Sequence, residues 1–427
     1  MRVKFLAGIA AALVLAAGAV AQTAPGGNTD ALVHRYVAEG KVPGIVVAIG
    51  KGDAPTRYFA DGRIAAEANA PKADENSLWR VYSMTKPLTG MAAMILVEEG
   101  KLKLDQPISD FIPAFRNMRV MDDPKGGVAT THPAMHPITV RNLLTHTAGL
   151  GYDLGQADAP KGSLLDQYRT LGINPAQVSP ALEVNMRTIR PPTLEAFANK
   201  VASLPLMAEP GTKWSYSIGL DVMGRVIEVA SGMSFDTFLK KRIFDPLGMK
   251  SSFFTVPASE AGRLATNYFY AGDTRLPIDT GVGSQWLTPP SFPYGGAGLV
   301  MSAHDYDRFL HMLQDRGTLD GVQVMKPETV ALAMSNLLPA GVDTSQLGSL
   351  TSTAGKLGFG AGGSVYLEDV PGVAGKGTYG WGGAAGTIAW VDPVKGIRGT
   401  VMVNYIPSEH WPLRADLNQA LAADMMR

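Results

Sequence analysis

Strand-like runs lie toward both ends of this chain, and the stretch between them is patterned for helix. Ile45-Val46-Val47-Ala48-Ile49 and Arg57-Tyr58-Phe59-Ala60 read as two strands joined by a turn of Gly, Asp and Pro. In the last quarter, Ser364-Val365-Tyr366-Leu367, Thr387-Ile388-Ala389-Trp390-Val391 and Thr400-Val401-Met402-Val403-Asn404-Tyr405 read the same way, with Asp392-Pro393-Val394-Lys395-Gly396 as the turn between the last two. This pattern implies one sheet closed from both termini and a helical insertion.

The helices are read from apolar spacing. A helix over 29–39 ends at Gly40, and Leu220, Met223, Val226, Ile227 and Ala230 share one face closed by Gly232. Ser234 is placed to cap the next helix, with Phe235, Phe238, Leu239 and Ile243 inward. Residues 305–313 read as helix, and Leu413, Leu417, Leu421 and Met425 make an amphipathic closing one. Residues 151–192 are rich in Gly, Pro, Asp and Ser and read as loop, while 267–298 set aromatics among prolines and glycines, a composition suited to a cleft wall.

The strongest chemical pattern is Val81-Tyr82-Ser83-Met84-Thr85-Lys86-Pro87, followed by Leu88, Met91, Ala92 and Ile95 at helical spacing until Gly100. It predicts a helix whose first turn carries Ser83 and, three residues on, Lys86. Such residues share a face, roughly 5–6 Å apart at Cβ, so the lysine reaches the hydroxyl. A lysine desolvated there becomes a proton acceptor at neutral pH. The helix start also offers free N–H groups and a positive dipole end to developing negative charge. A chain of this length holds about one Ser-x-x-Lys by accident. No other lysine here has a serine three residues before it, but the pattern needs support from elsewhere.

Composition excludes several classes. The 38 basic and 38 acidic residues cancel, and no long basic run exists, which argues against a nucleic-acid partner. The absence of cysteine rules out disulfides, thiol nucleophiles and thiolate metal sites. Arg2 and Lys4 precede an apolar run over 5–20, and Ala19-Val20-Ala21 supplies small residues for cleavage before Gln22. Residues 1–21 therefore read as a secretory signal, and the mature chain as exported to a bacterial periplasm or the medium. A membrane anchor is the alternative, but the run is short, rich in Ala and Gly, and followed by no basic stop. No other stretch is long and apolar enough to span a bilayer.

Two further stretches suit the same chemistry. Trp214-Ser215-Tyr216-Ser217 follows Pro210-Gly211 and precedes the Leu220 helix, placing a phenol where it can relay protons. Gly380-Trp381-Gly382-Gly383-Ala384-Ala385-Gly386 runs into the strand at Thr387. Its small residues let a substrate lie along the strand edge, and a backbone N–H there can complete an oxyanion hole. Each alone is an ordinary turn.

In this order, Ser-x-x-Lys, a Tyr-Ser turn and a Gly-rich strand start resemble the penicillin-recognising serine hydrolases, nearest to the class C β-lactamase-like branch with the family VIII carboxylesterases. The resemblance covers 81–105, 138–150, 210–232, 295–313 (Gly-Gly-Ala-Gly-Leu-Val-Met-Ser-Ala-His-Asp-Tyr over its first twelve residues) and 380–393. It implies a nucleophile at Ser83, a base at Lys86, shared proton traffic at Tyr216, and an oxyanion hole from the backbone N–H groups of Ser83 and Ala384. It does not choose between lysine and tyrosine as first proton acceptor. The fold it implies is α/β (α+β), β-lactamase/transpeptidase-like: an antiparallel sheet flanked by helices over 22–110 and 290–427, and a mainly helical, loop-rich domain over 111–289. The site lies between them, and no cofactor or metal is involved.

Departures from the lactamase pattern bear on substrate. The Lys-Thr/Ser-Gly triplet expected on the sheet edge is replaced by Trp381-Gly382-Gly383, which has no charge for a substrate carboxylate, and Trp at this place is a family VIII trait. The amide residue expected two places after the tyrosine is Ile218, which cannot hydrogen-bond an acyl-amide carbonyl. Losing a charge-assisted contact costs about 1.5–3 kcal/mol, on the order of tenfold to a hundredfold in binding. Trp381, Gly382, Gly383 and Ile218 are thus the expected substrate contacts, for a small-molecule ester with a small or medium acyl chain. A β-lactamase, D,D-peptidase or D-aminopeptidase on the same fold is the alternative, and a catalytically silent binding protein a third reading.

Other motifs fail for lack of context. Gly358-Phe359-Gly360-Ala361-Gly362-Gly363 satisfies a dinucleotide-binding glycine pattern, but a strand-like run follows where a helix should open. His132 and His136 flank Pro133 with no zinc-protease glutamate, and His146 reads as a hydrogen-bonded structural residue. No Gly-x-Ser-x-Gly elbow is present.

Overall fold

Val46 and Val47 are neighbours in one strand yet belong to different cores. The strand Gly44–Lys51 sends Val46 and Ala48 into a large core shared with helices, and Ile45 and Val47 into a smaller one on its other side, as the two-residue side-chain period of a strand demands. The structure is a computed structural model that describes residues 27–153, 159–174, 177–351 and 356–425. The expected leader over 1–21 lies outside the described residues.

The strand sits in a seven-stranded sheet ordered Leu357–Phe359, Ser364–Tyr366, Tyr379–Gly382, Ile388–Asp392, Ile397–Met402, Gly44–Lys51, Arg57–Gly62. Every adjacent pair is antiparallel. Val46 pairs with Ala60 on one side and with Met402 on the other, so the sheet is built from both ends of the chain. The Asp392 carboxylate closes the last hairpin by accepting the Val394 and Lys395 N–H groups.

The helices Gly27–Ala38 and Leu413–Met425 pack together over the smaller core, and the Asp424 carboxylate caps the first by accepting from Asn28 N at 2.7 Å and Thr29 Oγ1 at 2.7 Å. The other face carries Ala303–Gln314, and beyond it Thr85–Glu98, apolar nearly all round and buried from Thr85 to Leu96. Thr85–Glu98 packs against Gly219–Ser231, which Gly232 ends in the left-handed region at φ +72°. No helix among the described residues is long and apolar enough to cross a membrane.

Three local expectations are corrected. The stretch 151–192, read as loop, contains the short helices Leu164–Thr170 and Pro180–Met186, started by Ser163 and Ser179 hydroxyls that accept from Asp166 N and Leu182 N. Such short helices are defined by their caps more than by periodicity. The stretch 267–298, read by composition as a cleft wall with no strand assigned, holds the hairpin Asn267–Ala271 and Thr274–Asp279, with Pro277 inside a strand beside a bulge. Ser234 makes no cap hydrogen bond to its helix, Phe235–Leu239, and instead its hydroxyl donates to Thr237 Oγ1 at 2.7 Å.

Candidate active site

Ser83 does not lie in the first turn of a regular α-helix. It occupies a 3-10 turn, Tyr82–Met84, and the α-helix begins at Thr85. Tyr82 has φ +42°, which is foreign to a right-handed helix. Its ring packs edge-on against Trp286 at 5.9 Å, and its hydroxyl accepts from Asn267 Nδ2 at 3.0 Å. The rest of the turn is tied down as well. Arg80, fully buried, pairs with Asp279 at 2.7 Å; Val81 N–H donates to Leu299 O at 3.1 Å; and the Tyr306 hydroxyl donates to Met84 O at 2.9 Å. Surroundings that fix a strained backbone this fully hold Ser83 in one orientation.

Two groups converge on the Ser83 hydroxyl. Lys86 Nζ lies 3.1 Å from Ser83 Oγ, and the Tyr216 hydroxyl donates to the same oxygen at 2.7 Å. Lys86 is fully buried and also reaches Gly296 O at 2.8 Å and Tyr152 Oη at 3.3 Å. All its donor directions are thereby used. Its Nζ sits over the rings of Tyr216 and Tyr152, at 4.7 and 5.2 Å from their centroids. Ser83 itself is 8% exposed, a hydroxyl at the floor of a nearly dry site.

Tyr152 is the residue sequence reasoning missed. It follows Gly149-Leu150-Gly151, two positions beyond the 138–150 stretch singled out above, and its place after the His146 turn is the one available signal. Burial first, then the neighbouring Tyr216 and Asp221, holds its phenol well above the usual range, so it stays protonated. Tyr216 is fixed by rings: Tyr152 and His146 each at 4.9 Å, Trp381 at 5.6 Å, Trp214 stacked at 6.1 Å. His146 Nδ1 accepts the Ser217 N–H at 3.2 Å, next to Tyr216. Burial and the charge of Lys86 push this imidazole well below its ordinary pKa, which leaves it neutral and structural.

The third strand of the sheet supplies the opposite wall. Trp381 lies in Tyr379–Gly382, is 9% exposed, and donates its indole N–H to Tyr216 Oη at 3.2 Å. A Cβ at Gly383 would lie 2.3 Å from Val81 O, so only glycine lets the strand start press against the turn that carries Ser83. Ala384, the residue after that contact, is exposed. Gly382 lies in the same strand, paired with Ile388. Ile218, expected among the substrate contacts, is not at the cleft surface. Its side chain is fully buried in the main core and its N–H donates to Gly151 O at 3.2 Å. The first turn of Gly219–Ser231 faces inward, so the residue before it seats in the core.

The glycine run at 358–363 is a packing device. A Cβ at Gly362 would meet Lys86 O at 2.2 Å, and one at Gly90 would meet Ala361 O at 2.0 Å, so the run lies flat on the back of the Thr85–Glu98 helix. His132 sits in the strand Thr131–Pro133, where it bridges Asp122 at 2.7 Å and Glu209 at 3.2 Å. Among the described residues one cluster has the donor types for a metal, Asp53, His311 and Asp315, with ligand atoms within 4.8 Å of one another. It is a partly exposed group in which His311 already pairs with Asp315 at 3.1 Å.

A Ser-x-x-Lys turn, a phenol from a distant segment and a Gly-rich strand edge thus meet at one hydroxyl. The β-lactamase family model matches residues 29–423. The chain belongs to that family. Esterase EstB of Burkholderia gladioli is 30% identical over 395 residues, covering 88% of this chain and 89% of that protein. Protein Rv1367c of Mycobacterium tuberculosis is 35% identical over 323 residues, 74% and 75% of the two chains. Among solved structures, EstCE1, a hydrolase with promiscuous acyltransferase activity, superposes with a TM-score of 0.73 at 27% identity over 93% of this chain and 97% of its own.

Within this β-lactamase fold the antiparallel sheet and the helices on its faces are those that the sequence resemblance implied, and the family assigns the chain to serine hydrolases. Its relatives include esterases and acyltransferases, and it shares its fold with a penicillin-binding-protein homologue. In this chain the indole of Trp381 is turned toward Tyr216.

Proposed function

We propose that this protein is a carboxylesterase that cleaves esters of small to medium acyl chains through an acyl-enzyme on Ser83. The observation that carries the reading is the pair of contacts on one buried hydroxyl, Lys86 Nζ at 3.1 Å and Tyr216 Oη at 2.7 Å. Two directions of Lys86 Nζ face Gly296 O and Tyr152 Oη, and the third faces Ser83 Oγ, where the proton is received. Ser83 Oγ attacks the ester carbonyl carbon as that proton moves into the Lys86–Tyr216 pair. The Ser83 and Ala384 N–H groups hold the oxyanion, and the leaving alkoxide takes its proton from Tyr216. Water then repeats the sequence on the acyl group.

Substrate class follows from the wall that Trp381 makes. Trp381 offers an apolar face and spends its one N–H on Tyr216, so no cation awaits a carboxylate at that position. Esters without a negative charge fit such a wall, and the names of EstB and EstCE1 point the same way. Export to the periplasm or the medium belongs to the same proposal.

The test is a chromogenic ester assayed beside a chromogenic cephalosporin, on wild type and Ser83→Ala. Ester turnover that the substitution abolishes supports the reading. Dominant cephalosporin turnover replaces it with a β-lactamase, and ester turnover that survives in Ser83→Ala removes Ser83 as nucleophile.

A further inference from the structure

Asp221 is a fully buried carboxyl in the first turn of Gly219–Ser231. Its Oδ1 accepts the Gly296 N–H at 2.8 Å, and its Oδ2 has no hydrogen-bond partner. An unsatisfied buried carboxylate oxygen is costly, and such a group persists when something else requires it. The backbone has made room for it, since a Cβ at residue 296 would lie 2.6 Å from Oδ2. The same Gly296 turns its carbonyl to Lys86 Nζ at 2.8 Å. An acid in the first turn also suits the helix dipole, but a solvent-facing one would serve that purpose without the burial.

We propose that Asp221 is the positioning residue of Lys86: it fixes Gly296 so that the carbonyl faces the amine, and its negative charge offsets the positive charge that gathers on Nζ as the Ser83 proton arrives. The proposal rests on the esterase reading, in which Ser83 is the nucleophile and Lys86 receives its proton. No bond to Asp221 forms or breaks. A counter-charge of this kind acts most strongly when the ammonium has formed, so it lowers the barrier more than it strengthens ground-state binding.

The groups that face this carboxyl are Lys86 from the Thr85–Glu98 helix, Tyr152 from the segment after Gly149, and Tyr294 from the strand-free stretch before Gly295, with Arg190 and Glu183 behind Tyr294. Burial pushes the Asp221 carboxyl up to about 6, against the pull of Lys86 and the Gly296 N–H. Its charge therefore comes and goes within the range where an esterase is assayed.

The experiment measures p-nitrophenyl butyrate hydrolysis from about pH 5 to 8 for the wild type, Ser83→Ala and Asp221→Asn. Asparagine keeps the volume and an oxygen for the Gly296 N–H, so a merely structural carboxyl predicts no change in the pH profile. The expected result for Asp221→Asn is a kcat lower by about tenfold or more at pH 8, KM within about threefold, and loss of the acid limb near pH 6. A wild-type kcat, or a lower kcat with the limb retained, overturns the proposal. Should the variant not fold, the acylation burst of the wild type decides: a rate constant that falls below about pH 6 supports the proposal, and one flat across the range overturns it. An inactive Ser83→Ala beside an unaffected Asp221→Asn sinks only this proposal, whereas an active Ser83→Ala sinks the esterase reading as well.

Discussion

The indole N–H of Trp381 donates to the hydroxyl of Tyr216 at 3.2 Å, and that hydroxyl donates onward to Ser83 Oγ at 2.7 Å. The two bonds fix the direction in which the tyrosine presents its proton. Trp381→Phe keeps an aromatic wall but removes the donor. A neutral hydrogen bond of this kind is worth about 0.5–1.5 kcal/mol, so kcat/KM for a chromogenic ester should fall about two- to tenfold, with the loss in kcat. Steady-state kinetics at saturating substrate check this, and a change confined to KM would make Trp381 a binding wall only.

Tyr152 closes the other side of Lys86, its hydroxyl 3.3 Å from Nζ. Tyr152→Phe should leave the fold intact, because the ring keeps its buried contacts, and should lower kcat by about tenfold. Thermal melts paired with initial rates separate the two effects.

At Gly383 a methyl group would lie 2.3 Å from Val81 O and 2.2 Å from Thr387 Oγ1. Gly383→Ala must therefore push the strand start away from the Ser83 turn and carry the Ala384 N–H with it. Losing one oxyanion donor costs on the order of a hundredfold or more in kcat, and the clash should lower stability by about 1–3 kcal/mol. Gly262, whose Cβ would meet nothing within 4 Å, is the control. Gly262→Ala should change neither activity nor stability by more than about 0.5 kcal/mol.

Asp221 also makes a prediction about stability, with a sign opposite to that of a salt-bridged acid. Its carboxyl titrates at about 6 in the folded protein against an ordinary value of 3.8, burial being the first cause. The folded state thus holds this proton more tightly than the unfolded chain does. The favourable contribution is complete below the ordinary value and is lost as pH rises through about 6. Asp221→Asn should accordingly raise stability at pH 8 by on the order of 3 kcal/mol, or about 3 °C in Tm, and the gap should close near pH 4. Melting curves at the two pH values check it.

The parts of the site that the sequence revealed are those with spacing or composition behind them. Ser83 and Lys86 stand three apart before an apolar helix, the Tyr216 turn follows Pro-Gly, and the Trp381 string is glycine-rich. Tyr152 and Asp221 have no such signature. A tyrosine between a glycine and an aspartate, and an acid in a first helical turn, look like ordinary turn and capping residues until the chain is folded. The left-handed Tyr82 that lifts Ser83 out of the α-helix is likewise a product of tertiary contacts, from Trp286 and Asn267, both about two hundred positions away. The sheet was legible because Ile45–Ile49 is a continuous, mostly β-branched apolar run, as a strand buried on both faces requires, and because Asp392–Gly396 marks the C-terminal hairpin's turn. The 267–279 hairpin was not, because Pro277 and a bulge interrupt it.

The pairing of Val46 with Met402 sets the timing of this hydrolase's appearance. A nascent chain that stops short of Ile397–Met402 has one side of Gly44–Lys51 bare, and until Tyr379–Gly382 emerges no strand edge has come to rest on Val81. Such long-range closure is slow and comes late. The hydrolytic centre therefore closes only when segments about 350 positions apart have paired, so its geometry depends on the sheet as a whole and not on the Ser83 turn alone.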